Sequence, residues 1–542
     1  MKNLMKTGIA VLVMTALSAC SLQENPGTDP TSSQAISVVA NSHEEPAQEG
    51  PGTKTTLGGE NGIVTSWVAS TDQIGIFSPQ ALPSSAGEAP ANSIAYTAQT
   101  TGTGSTFTGS MYWGTGNHHF YAYYPNNSGY TGNQTAVPIS LPSAQTQSAA
   151  NSSAHIGALD FLVAAPVEGV IPPAHGEIAQ AVGFTLKHVF TILEFQIKGS
   201  GTLSQVSLSG ANSLACTGTI NLAQSAPAAG SPYSITTSST SKYVTVTLGS
   251  GAPLNSGTAI SVYMMIMPGV QSENLQIGVK IDGNWKEMSK AQPAGGFVRG
   301  KKYVVTLNTA DAGWNAAIQD SRDSQIYQYK TIGTQVWMTE NLAYLPSVVG
   351  PGTGSNSTAY YYVYGYDGTD VDAAKATSNY TTYGVLYNWP AAMAGAASSD
   401  ANPSGVQGVC PDGWHLPSDA EWTQLEEYLI ANGYNYDGTT TGNQIAKSMA
   451  NYSGWNTSST VGAVGNTDYP EYRNKSGFTA LPGGYRYYNG TFIYLGGNGY
   501  WWSSTQDSTS YAWLRYLRCY NSNVYRDYYN KENGFSVRCV RD

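Results

Sequence analysis

The side chains able to do chemistry are few and scattered. Seven histidines are spread over 542 residues, and His118 and His119 are the one adjacent pair. Such a pair marks a strand end more often than a metal site, and His188, inside an apolar run, reads as a core histidine. Asp367, Asp370 and Asp372 could offer oxygens to a calcium ion, but their spacing misses the EF-hand pattern and reads as a solvated loop. There is no H-E-x-x-H, no G-x-S-x-G, no phosphate-binding loop and no cysteine pair with zinc-ligand spacing. The expectation is a protein that binds rather than catalyses, with no cofactor and no metal. What is concentrated is tyrosine with arginine. Arg486, Tyr487, Tyr488, Arg515, Tyr516, Arg518, Tyr520, Tyr525, Arg526, Tyr528 and Tyr529 crowd the last part of the chain. Tyrosine offers a large, rigid contact area with a polar tip, and both residue types are enriched where interfaces are strong. Arg486, Tyr488, Arg515, Tyr525, Arg526, Tyr528 and Tyr529 are therefore the candidate ligand-binding residues. Part of this tyrosine is expected to fill a β-rich core short of aliphatics. Asn521-Ser522-Asn523 reads as a turn, which places 525–529 in or near a hairpin tip with little core to join.

Around these residues the pattern is α+β. Ser418-Asp419-Ala420-Glu421 is a capping box, Trp422, Leu425 and Leu429 repeat at helical spacing, and Gly433 stops the run. A shorter helical run follows Asn443, with Ile445 and Met449 one turn apart. Residues 326–542 hold 28 of the 38 tyrosines and 8 of the 12 tryptophans, so they form a domain distinct from the chain before them. Upstream, between about 53 and 308, the apolar period is two. Val244, Val246 and Leu248 alternate with Tyr243, Thr245 and Thr247, and Ile260, Val262, Met264 and Ile266 repeat the pattern. Asp282-Gly283 is a two-residue hairpin signal. Turns recurring through this stretch predict two β-sandwiches in series. Charged residues are 11% of the chain, the net charge is −10 and the pI is near 5.2, without a basic run, which argues against nucleic acid as a partner.

The first twenty residues follow a secretory plan: Lys2 and Lys6, an apolar stretch from Ile9 to Leu17 too short to span a bilayer, then Leu17-Ser18-Ala19-Cys20. That tetrapeptide resembles the lipobox of bacterial lipoproteins. The resemblance implies cleavage before Cys20 and lipidation of its thiol and amine with acyl chains such as palmitate. Several chains would hold the protein stably where one would not. Ser21 at the next position implies the outer membrane. Residues 21–52, rich in Ser, Pro, Glu, Gln and Gly, read as a flexible tether.

Two further resemblances rest on blocks of sequence. Thr53-Lys54-Thr55-Thr56, Val64-Thr65-Ser66-Trp67, Asp72-Gln73-Ile74-Gly75-Ile76-Phe77, Phe120-Tyr121-Ala122-Tyr123-Tyr124-Pro125, Leu141-Pro142-Ser143-Ala144-Gln145-Thr146 and the stretches 159–164 and 184–190 succeed one another. In that order they resemble the fimbrillin-like proteins, subunits of surface pili. This implies two transthyretin-like sandwiches, 53–175 and 176–308, with other pilus subunits as partners. The family often carries Arg where Lys54 stands, so processing at Lys54 by an Arg-specific protease is a point of departure.

After a linker at 309–325, residues 332–342, 383–389 and 409–417, then 481–486, 500–505 and 536–540, resemble the Fibrobacter succinogenes major paralogous domain. That resemblance implies a C-type lectin-like fold, related to formylglycine-generating enzymes. Phe535, Val537 and Cys539 share one face of the last strand, and by resemblance to lectin-like folds Cys539 is expected to bridge to Cys410. Cys519 is left over, and Cys216 reads as a small buried apolar residue. The sugar motifs E-P-N and W-N-D of C-type lectins are absent. The resulting expectation is a lipid-anchored accessory or tip subunit of a pilus, whose C-terminal domain binds a host or bacterial surface glycan or protein. The alternative is a monomeric outer-membrane glycan-binding lipoprotein of a nutrient-uptake system.

Overall fold

A computed structural model describes residues 34–42, 55–57, 63–82, 92–174, 177–228 and 231–542. The signal segment 1–20, Cys20 and Lys54 lie outside the described residues.

Alternation of apolar and polar side chains builds the first β-unit. Its sheet runs in the order Leu162–Ala164, Val182–His188, Val38–Ser42, Gly104–Thr108, Ile94–Ala98, Gln73–Phe77, His118–Tyr124 and Val167–Val170. Leu162–Ala164 also pairs with His118–Tyr124, which closes the sheet on itself. Trp67 sits inside, edge-on to Phe107 and Tyr124 with ring centroids 5.2 and 5.3 Å away. The closed sheet corrects the expected tether at Val38–Ser42, while 21–33 and 43–52 lie outside the described residues. Val38–Ser42 lies between Val182–His188 (parallel) and Gly104–Thr108 (antiparallel), and Val38 and Ala40 are fully buried. A five-residue strand whose partners are distant in sequence leaves little local trace beside a polar, proline-rich flank.

In the second β-unit, Ile260–Ile266, Thr191–Lys198 and Lys302–Asn308 form one layer. Thr202–Ser209, Tyr243–Pro253 and Leu275–Ile281 belong to the other, with Phe195, Leu208, Val246, Met264 and Ile277 in the core between them. The period-two reading holds: Val244, Val246 and Leu248 are buried, while Tyr243, Thr245 and Thr247 are partly exposed. Asp282 and Gly283 adopt positive φ (48° and 81°) and join two strands in the register Ile281↔Asn284.

The division at 175/176 is not a clean boundary. Val137–Leu141 and Ala144–Gln147 pair with Ala215–Ile220 and Tyr243–Pro253 of the second unit, while Val182–His188 returns to the first. The linker expected at 309–325 is likewise corrected. Asn315–Gln319 is a strand between Asn284–Lys290 and Ile326–Ile332, so one ten-stranded sheet passes from the second unit into the C-terminal domain.

That domain is α+β. Its helix Asp419–Ala431 carries the capping box: Ser418 Oγ accepts from the Glu421 N–H at 3.1 Å, and Glu421 Oε2 accepts from the Ser418 N–H at 3.0 Å. Trp422, Leu425 and Leu429 pack with Trp337, Phe478 and Trp501. Ala446–Met449 is the second helical run. Cys410 and Cys539 are bridged, with Cα atoms 6.0 Å apart. Closing a loop of 129 residues is worth about 4–5 kcal/mol on the chain-entropy account. Cys216 and Cys519 are free and buried, and burial pushes the Cys216 thiol up to about 11. Among the described residues no helix is long and apolar enough to cross a membrane.

Candidate binding surface

The candidate residues sit on a five-stranded sheet ordered Thr491–Leu495, Gly483–Tyr487, Asn498–Gln506, Tyr511–Arg518, Tyr525–Asn530. Asn521–Asn523 is a bend, as expected, but the stretch beyond it is not a hairpin tip. Tyr525–Asn530 is the edge strand, paired antiparallel with Tyr511–Arg518 from Tyr516↔Tyr525 to Tyr511↔Asn530. Because side chains alternate across a strand, the tyrosines and arginines divide between two faces.

On the inner face, Tyr525 stacks on Tyr516 (centroids 4.8 Å, planes 8° apart), and Arg518 lies 4.9 Å over Tyr525. Tyr529 leans on Tyr485, Tyr500 and Phe535. Tyr525 and Tyr529 are half-buried and join the rim of the domain core. Tyr488 packs on Tyr487 at 4.3 Å, is 47% exposed, and its N–H donates to Asn533 Oδ1.

The outer face carries Tyr511, Trp513 and Arg515 from one strand and Arg526 and Tyr528 from the other. The helix Asp419–Ala431 covers one end of this face. Arg515, 1% exposed, meets the carboxylates of Asp419 (2.5 Å) and Glu426 and donates to Thr423 Oγ1. Arg526 donates to Asp419 Oδ2 at 2.9 Å and lays its guanidinium 3.6 Å over the Trp513 ring. Burial raises the Asp419 carboxyl, but Arg526 and Arg515 outweigh it and hold that group below its ordinary value. Beyond the helix, Tyr528 stands edge-on to Trp513 (5.2 Å) and Tyr511 (5.9 Å), and Tyr528 and Tyr511 are 48% and 41% exposed.

Two candidates are therefore corrected: Arg486 and Arg515 are interior. Arg486, 1% exposed, directs its guanidinium to the Pro351 and Glu532 carbonyls at 2.7–2.8 Å, over the Tyr362 ring. Both arginines meet the demand of a buried cation for several acceptors at once. The remaining five residues do not form one patch. Tyr525 and Tyr529 belong to one face, Arg526 and Tyr528 to the other, and Tyr488 lies past the end of the strand Gly483–Tyr487. Tyr511, Trp513 and Asp419 were missed, although the alternation Tyr511, Trp513, Arg515 is a period-two signal readable in the chain.

The other sites named from sequence are structural. Asp370 Oδ1 caps the helix Val371–Lys375, accepting from the N–H groups of Asp372 and Ala373. His188 Nδ1 pairs with Asp160 Oδ2 at 2.8 Å, and both are buried. His118 starts a strand, with Nε2 accepting from the Gly114 N–H. Among the described residues no group of three or more His, Cys, Asp or Glu is arranged to hold a metal.

Comparison with known families identifies two segments. A fimbrillin-like family profile matches residues 53–326, and a profile of the Fibrobacter succinogenes major domain matches 331–541. No curated protein matches the chain. Among solved structures, a cell-adhesion candidate from Bacteroides uniformis is 19% identical, covering 54% of this chain and 96% of its own, with a TM-score of 0.33. A fimbrial assembly protein from Parabacteroides distasonis is 11% identical over 54% of this chain and 98% of its own, at 0.26. A fimbrial protein from Bacteroides ovatus is 12% identical over 88% and 95%, at 0.22. Superpositions this loose carry no argument about the site.

Proposed function

Since this chain belongs to the fimbrillin-like family, we propose that it is an accessory or tip subunit of a surface pilus, lipid-anchored at Cys20 to the outer membrane, with an adhesive C-terminal domain. The fimbrillin-like region supplies the contacts to other pilus subunits. The C-terminal domain follows it and carries the ligand, a glycan or a protein on a host or bacterial surface.

The observation that carries the adhesive reading is the outer-face row of Tyr511, Trp513 and Tyr528. Tyr511 and Tyr528, on the last two strands of the sheet, leave large aromatic rings exposed with little to add to the core, and Trp513 lies half-buried between them. They are nevertheless held in place, because Arg526 is clamped between Asp419 and Trp513. Rigid, amphipathic rings of this kind lose little entropy on binding and suit both the apolar face of a sugar and a protein hot spot.

Two measurements test the reading. Purified pili are probed with antibody to this chain, and its absence from every pilus preparation overturns the pilus assignment. The full-length exported protein is then screened on a glycan array and against surface proteins. The full chain is used because the C-terminal domain shares a sheet with the second β-unit. Binding that survives loss of Tyr511 and Tyr528 removes the outer face from the account.

A further inference from the structure

The ten-stranded sheet crosses from the second β-unit into the C-terminal domain through the single strand Asn315–Gln319. At that crossing lies a polar crevice of about 180 Å³, lined from both sides. Glu287, in the strand Asn284–Lys290, is opposite Asn315 and 3% exposed. Its Oε2 accepts from Gln328 Nε2 at 3.1 Å, a bond made from the C-terminal domain. Glu340, also from the C-terminal domain and half-buried, lines the same crevice. A second tie spans the junction, where Lys242 Nζ donates to the Lys375 carbonyl at 2.5 Å and to Thr381 Oγ1 at 3.1 Å.

We propose that Glu287 and Glu340 form a proton-operated latch between the second β-unit and the C-terminal domain, closed while the pair retains a proton and weakened when both carboxyls ionise. Two carboxylates brought into one crevice between packed elements cannot both ionise without cost. Burial pushes Glu287 up to about 7. Burial, then the charge of Glu287, push Glu340 up to about 8, against the pull of Arg538. The two titrate as a pair rather than as separate sites.

The other charged and titratable groups around the crevice do not replace the proton. Arg538 is buried and gives its guanidinium to Asn341 Oδ1 and to the carbonyls of Phe478, Thr479 and Met338. Lys242, lowered by burial and raised in part by Glu273, is turned to Lys375 and Thr381. Tyr243 is raised by burial, then by Asp323, Glu340 and Glu287, so it stays neutral. Tyr380 is raised by burial, then by Tyr243 and Asp323. Asp323 is itself raised by burial and balanced by Lys375 and Arg322 against Asp320.

Linkage fixes the direction of the effect. Carboxyls raised above their unfolded values stabilise the closed junction fully below about pH 4.5, and that stabilisation is lost as the pH rises through about 7 to 8. Where closing takes up one proton, the closing constant falls by up to about tenfold per pH unit. At mildly acidic pH the β-unit and the binding domain move as one body, and above neutrality the join loosens.

Hydrogen exchange on the full chain tests the latch. Amide opening in Asn315–Gln319 and Ile326–Ile332 is measured from pH 5.5 to 8.5 and corrected for the chemical exchange rate. Opening should increase with pH in the native protein, and Glu340→Gln, which stays neutral, should flatten the dependence. Glu287→Gln should do the same; if it fails to fold, Glu340→Gln decides alone. Glu273→Gln, at the exposed rim, should keep the native slope. A native protein without a slope, or a Glu340→Gln protein with the native slope, overturns the proposal.

Discussion

Arg526 lies 3.6 Å over the face of Trp513 while its Nε holds Asp419 Oδ2 at 2.9 Å. One arginine thereby ties the N-terminus of the helix Asp419–Ala431 to the edge strand and fixes the orientation of the aromatic row beyond it. The carboxylate also sits where a helix N-terminus favours negative charge.

Replacing Tyr511 and Tyr528 together with Ala should abolish ligand binding and leave the melting temperature within a few degrees of native. Aromatic anchors of this kind typically cost about 2 kcal/mol or more each when truncated, without strict additivity. Calorimetry beside a binding assay reads both quantities. A double variant that binds normally would exclude the outer face, and one that loses its cooperative transition would assign the rings to the core.

Arg515→Ala should behave in the opposite way. It leaves Asp419 and Glu426 facing a buried gap, and removing one partner of a buried ion pair costs about 3–5 kcal/mol. Chemical denaturation should show the loss, and a stability change below about 1 kcal/mol would place Arg515 among surface pairs instead.

Cys410→Ser should destabilise the C-terminal domain by about 2–5 kcal/mol. Peptide mapping of exported protein should recover Cys410 joined to Cys539, with Cys216 and Cys519 alkylated after denaturation alone. Rapid labelling of Cys410 in the native protein contradicts the bridge.

The depressed Asp419 carboxyl should make the clamp acid-sensitive at low pH only. Its contribution is present above the unfolded value, about 3.9, and is lost as the pH falls through the lower folded value. Melting curves of native and Asp419→Asn proteins should therefore differ at pH 6 and converge toward pH 3. A constant difference across that range shows that the charge plays no part.

Cys20→Ser should release the protein from membranes, because the lipid chains are the anchor proposed for it. Fractionation after a high-salt wash is the measurement. A variant still wholly membrane-bound reveals a different attachment.

Local pattern made much of this protein readable from its chain. The alternation at Val244, Val246 and Leu248 announced a half-buried strand, because a two-residue period leaves no other face for the apolar groups. Ser418 and Glu421 announced a helix start, since orphan N–H groups need nearby acceptors. Asp282-Gly283 announced a hairpin through its positive φ angles. The Cys410–Cys539 bridge came from resemblance, whereas the strand expected over Phe535 to Cys539 is corrected: the last strand is Val540–Arg541, and Ser536 and Arg538 are as buried as Phe535, Val537 and Cys539.

Tertiary structure alone decided the rest, because it depends on partners distant in sequence. Whether Val38–Ser42 is tether or strand depends on Val182–His188, and whether Asn315–Gln319 is linker or strand depends on neighbours from two domains. Arg515 and Arg526 look alike in sequence, eleven positions apart in one tyrosine-rich run. One is buried because a helix crosses above it, and the other reaches solvent because that helix ends beside it. The chain by itself determined which residues alternate and which segments turn. The placement of a covering helix, which sets the local dielectric and the supply of carboxylates, decided which of those residues are core and which remain free to bind.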